Sequence, residues 1–150
     1  MALSELYSDK ILDIAGNALQ PGRLPAPDAS SRKVSRICGS VIEVDIVVTD
    51  GVITGYGHEV SACALGQTSA AIVAREIVGT RADDFLALAR QMREMLKADG
   101  TPPDGKWSDL AYLEPVREFP ARHASTLLVF DAVVDAIEKR STKQTVASIC

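Results

Sequence analysis

Polar and apolar positions divide the chain into segments whose period changes along its length. Leu3, Leu6, Tyr7, Ile11, Ile14, Ala15 and Ala18 recur three or four residues apart. That spacing gathers them on one helical face and predicts an amphipathic helix docked on a sheet. The stretch QPGRLPAPDASS, with three prolines and a glycine, then ends regular structure. In VIEVDIVV the period becomes two: Ile42, Val44, Ile46 and Val48 alternate with Glu43 and Asp45, the pattern of a half-buried strand. The Asp-Gly pair of TDGV supplies a hairpin turn, and VITGYGHEV is the return strand, paired antiparallel. RKVSRI adds a third strand, which leaves Cys38, Gly39 and Ser40 in the bend between strands.

From SACALGQTSAAIVAR onward the pattern is helical. A second helix over residues 82–98 follows GTRADD, whose aspartates suit its positive end, and buries Phe85, Leu88, Ala89, Met92 and Leu96. DGTPPDGKW reads as a loop, and residues 107–113 as a short helix. The last helix has Leu127, Leu128, Val134 and Ile137 among its apolar positions. STKQTVASIC shows no period, so residues 141–150 are expected to form a flexible tail. With no internal repeat, residues 1–140 are expected to form one domain. The fold class is α+β: a small three-stranded antiparallel sheet with helices packed on it.

Composition narrows the function. A chain of 150 residues, 47% hydrophobic and 24% charged, is large enough for one domain with a real core. Its net charge is −4, with both signs interspersed and no basic patch interleaved with aromatics, which speaks against nucleic-acid binding. No apolar run reaches membrane-span length, and MALSELYSDK carries acids where a signal peptide needs bases. The expectation is a cytoplasmic protein with no membrane partner and reduced thiols. Its three cysteines, Cys38, Cys63 and Cys150, form no CxxC pair and no disulfide framework.

Candidate chemistry centres on sulfur. Cys63 precedes a helix rich in small residues, where unpaired backbone N–H groups and the dipole favour a thiolate; packing alone is the competing reading, since free cysteine is often buried. Cys38 precedes Gly39 in an accessible bend and carries the same two readings. Cys150 is an incidental thiol at the chain end. His58 reads as a structural histidine on the strand leading to Cys63. His123 falls in the first turn of the last helix, beside Arg122. Thiolates with an imidazole suit zinc, ferrous iron or an iron–sulfur cluster. Cys38, Cys63 and His123 come from three segments, so spacing alone leaves their convergence open.

The order of elements and the flanking residues resemble the NifU-like iron–sulfur cluster scaffold family, nearest its SufU branch, over roughly residues 4–140. ICGS is similar to the family's first cysteine motif, Cys-Gly-Asp, and ACALGQTSAAI to its second. VREFPARHASTLL is similar to the segment carrying the third cysteine, and MREMLKADGTPPDGKWSDLAYLEP to the insertion of the SufU branch. The resemblance implies a SufE/NifU-like fold and a scaffold or carrier rather than an enzyme. It implies a protein that receives sulfur from a cysteine desulfurase, assembles a transient cluster or relays sulfur on zinc, and serves apo-protein acceptors. By position the first two cysteines match Cys38 and Cys63. Two positions depart: Ser40 stands for the family's acid and Ser125 for its third cysteine, which removes two negative charges. The expected ligands of iron, a labile cluster or zinc are therefore Cys38, Cys63 and His123. The alternatives are a persulfide-accepting sulfurtransferase partner of a desulfurase, through Cys63 or Cys38, and an interaction module without metal.

Overall fold

The computed structural model describes residues 6–18, 21–37 and 39–149, with side chains as far as residue 141. Three strands, β1 (Ala29–Ser35), β2 (Ser40–Thr49) and β3 (Val52–Ser61), form an antiparallel meander in the order β1-β2-β3. The Asp-Gly pair closes the second hairpin as its chemistry demands. Asp50 and Gly51 have φ of 52° and 78°, the two positive values of a primed two-residue turn.

Alternation along β2 puts Ile42, Val44, Ile46 and Val48 into the core, as the period of two requires. Helices close over this face: α1 (Asp9–Gly16), α2 (Ala64–Glu76), α3 (Ala82–Lys97) and α4 (His123–Ile149). Helix α4 lies on β1 and β2, while α2 packs between α1 and α4 and α3 packs on α4. Ser8 sets the start of α1 by accepting the Ile11 amide at 3.3 Å, so the helix begins at Asp9, and Leu6 and Ile11 are both buried. Helix α3 buries Phe85, Leu88, Met92 and Leu96 of its expected stripe and adds Met95, while Ala89 is only partly buried. Helix α4 runs on through residues 141–149, the segment whose sequence shows no apolar period.

Two regions differ from the sequence pattern. The short helix expected over residues 107–113 belongs to a longer 3-10 stretch, Gly105–Glu118, that buries Leu110, Leu113 and Val116. Their spacing of three is the 3-10 period, and Pro115, which lacks an N–H, is tolerated in so loosely bonded a turn. Asp45, expected on the solvent side of β2, is completely buried. The proline-rich segment folds across that outer face: Arg23 grips the carboxylate at 2.6 and 2.9 Å, and the Leu24 amide and Ser30 hydroxyl also donate to it. Gly57, paired opposite Asp45, makes room for this strap, since a Cβ there would overlap the Gly22 carbonyl and lie 3.1 Å from the Leu24 nitrogen.

Candidate functional site

The register brings the cysteine-bearing segments to one end of the sheet. Ser35 pairs with Ser40 across the β1–β2 turn, and Val41 pairs with Ser61 at the end of β3. Cys63 follows two residues later as the N-cap of α2, in an extended conformation (φ −66°, ψ 172°). Its carbonyl accepts the Gln67 amide at 2.9 Å, while its side chain makes no capping bond. The thiol is thus left half-buried at the positive end of a 13-residue helix.

Small residues let this helix come close to its neighbours. The Thr68 hydroxyl reaches the Ala64 and Ile11 carbonyls, at 2.8 and 3.1 Å, which ties the first turn of α2 to α1. Gly66 faces α4, where an added Cβ would lie 2.8 Å from Ala62 Cβ and 3.2 Å from the Ser125 carbonyl oxygen. Across this contact Cys63 Sγ donates to Ser125 Oγ at 3.5 Å. Ser125 is 1% exposed, and its hydroxyl also donates back to the Arg122 carbonyl at 3.3 Å. The residue across from Cys63 is therefore the one on which the third family cysteine falls by resemblance.

His123, the first residue of α4, is buried, and its Nε2 lies 3.0 and 3.2 Å from the Val116 and Arg117 carbonyls. Two carbonyl acceptors require a hydrogen on Nε2, so Nδ1 is the only ring nitrogen open to a ligand. Two helical positions separate His123 from Ser125, about 200° of rotation, so the two side chains leave the helix on opposite sides. Cys38 and Cys150 lie outside the described residues. Gly39, next to Cys38, has the positive φ of 70° that lets the bend close, and its amide reaches the Ser35 carbonyl at 2.8 Å. Among the described residues no three His, Cys, Asp or Glu side chains cluster.

The second histidine is structural, as the sequence suggested. His58 is 1% exposed on the core face of β3, its Nδ1 lies 2.7 Å from the Tyr56 hydroxyl, and burial pushes its pKa down to about 4. Sequence reasoning missed the Arg23–Asp45 clamp. Its hydrogen bond from Arg23 holds the Asp45 carboxyl below the usual range. The one local signal was an acid in the middle of an apolar strand.

Comparison with known proteins agrees with this architecture. The crystal structure of a nitrogen-fixing NifU-like protein (N-terminal) from Brucella abortus is 45% identical, with a TM-score of 0.91, over 94% of this chain and 98% of that one. The iron-sulfur cluster assembly scaffold protein IscU of Thermotoga maritima is 25% identical over 141 residues, 94% of this chain and 99% of the relative. Its namesake from Streptococcus pyogenes serotype M1 is 24% identical over 147 residues, 96% and 92% of the two chains. A scaffold protein for the SUF system from Fervidobacterium islandicum AW-1, at 17% identity, shares the fold with a TM-score of 0.82 over 91% of this chain and 99% of that one. No protein-family model matches the sequence. Among the described residues no helix is long and apolar enough to cross a membrane.

Proposed function

The chain belongs to the NifU-like family, and from that premise we propose that it is an iron–sulfur cluster assembly scaffold or carrier. It holds iron, a labile cluster or zinc through Cys38 and Cys63; His123, which leaves α4 on the side away from Ser125, joins them as a further ligand only if the start of α4 turns it toward the thiol. The observation that carries the reading is the meeting of Cys63 with Ser125 at the sheet end where the Cys38-bearing turn also closes. The donor set suits soft cargo: a half-buried thiol at a helix N-terminus, and an imidazole whose Nε2–H is already engaged by carbonyls. Two cysteinates neutralise one divalent charge, and His123, once turned toward them, would add a donor through Nδ1.

The departures give the site its character. Serine at positions 40 and 125 replaces a carboxylate and a thiolate of the family pattern, so the site holds a cation with less charge and one fewer soft ligand. That favours a carrier that releases its cargo. A cysteine desulfurase supplies the sulfur, and apo-proteins take the product. Anaerobic reconstitution with ferrous iron, sulfide and a reductant tests the assignment. The wild type is expected to gain visible absorption and an iron–sulfur Mössbauer signature, and a Cys38→Ser/Cys63→Ser variant to gain neither. Identical spectra from the two proteins overturn it. Elemental analysis of protein purified without oxygen then distinguishes iron from zinc.

A further inference from the structure

The Ser125 hydroxyl has one proton and two acceptors within reach. With the side chain 1% exposed, bulk water does not compete for it. While Cys63 is a thiol, its S–H donates to Ser125 Oγ at 3.5 Å, and Ser125 donates to the Arg122 carbonyl at 3.3 Å, a back-bond one turn away. A divalent ion bound at Cys63 displaces the thiol proton to solvent, and the sulfur changes from donor to acceptor. The Arg122 carbonyl gives up the longer of two hydroxyl bonds by this and keeps the shorter, from Thr126 at 2.9 Å. Gly66 holds the pair in place, since without a Cβ it lets α2 sit against the Ser125 carbonyl.

We propose that Ser125 is a positioning residue of the site, whose hydroxyl swings from the Arg122 carbonyl to the Cys63 sulfur when that sulfur takes up a metal ion or cluster iron. The inference rests on the reading of Cys63 as a ligand. Such a hydrogen bond fixes the orientation of the sulfur and draws electron density from the metal–sulfur bond. Position 125 thereby acts on the metal through Cys63 without touching it.

Anaerobic titration with Co²⁺ reads this directly, because sulfur-to-cobalt charge transfer reports the electron density on the sulfur. Ser125→Ala is expected to shift the charge-transfer band to lower energy and to weaken Co²⁺ binding about tenfold, the usual scale for losing such a partner. Ser125→Thr, which keeps the hydroxyl, restores both. Should Ser125→Ala fail to fold, Ser125→Gly removes the same hydroxyl and is expected to shift the band in the same direction. A folded Ser125→Ala or Ser125→Gly protein with the wild-type band and affinity overturns the proposal. Cys63→Ser separates the two readings. If it keeps the wild-type band, the ligand assignment itself falls. If it loses the band while Ser125→Ala matches the wild type, only the role of Ser125 falls.

Discussion

Asp45, in the middle of β2, and Cys63, two residues past the end of β3, are satisfied in opposite ways. The Asp45 carboxylate is completely buried and takes four donors, two from Arg23, one from the Leu24 amide and one from Ser30. Cys63 is half-buried against the edge of the core, and among the described residues its thiol makes one hydrogen bond, 3.5 Å long, to the Ser125 hydroxyl. A polar group whose acceptor capacity is filled has no room for a ligand, and its removal exposes the others. The thiol keeps that capacity in reserve. Saturation marks the structural group and its lack marks the candidate site, although both lie close to the same strands.

The largest expected effect is acid unfolding of the saturated region. His58 has its folded pKa lowered to about 4, below its unfolded value of 6.5. The unfolded chain therefore takes up that proton first, and stability falls as pH drops from 6.5 towards 4. Its contribution is on the order of 3 kcal/mol. Asp45, also lowered, contributes stability that is complete above its ordinary value of 3.8 and is lost as pH falls through its lower folded value. Urea unfolding across this range is expected to show two limbs. His58→Gln flattens the upper one and Asp45→Asn the lower. A single limb unaffected by either variant breaks the comparison.

Next in size is Asp45→Ala at neutral pH, expected to cost about 2 to 3 kcal/mol because it leaves Arg23 without its buried partner. Amide exchange in residues 22–28 should rise with it. Gly57→Ala forces a methyl group into the Gly22 carbonyl and should cost about 2 kcal/mol by overpacking. The strap amides should respond there too, even though no charge has changed. Cys63→Ser is the smallest change, expected within about 0.5 kcal/mol of the wild type by the same measurement. If Cys63→Ser destabilised the protein as much as Asp45→Ala, the thiol would be a packing residue, and the contrast would collapse.

Local periodicity explains which parts were legible in the sequence. The α3 stripe and the β2 core positions follow from residues a few places apart, and the Asp-Gly turn from two adjacent residues. The burial of Asp45 was not legible, because its cover comes from Arg23, 22 residues earlier, in a segment with no period at all. The 3-10 stretch was seen only in its middle, since a spacing of three over Leu110, Leu113 and Val116 is also half of a helical pattern. The contact between Cys63 and Ser125 spans 62 positions. Position 125 came into view only through resemblance, because nothing local distinguishes that serine from the other hydroxyl residues of the helix start. The tautomer of His123 was equally out of reach, being set by carbonyls six and seven residues before it.

The hairpin joining β2 to β3 also works as a ruler. Ten strand residues separate the Asp50–Gly51 turn from the Ser40 end of β2, about 30 Å of extended chain. A fluorophore carried at Thr49, which is exposed, would sit a whole sheet away from Cys63 and Ser125. Its anisotropy would report tumbling and complex formation without a signal from the metal, so docking and loading could be timed separately in one sample.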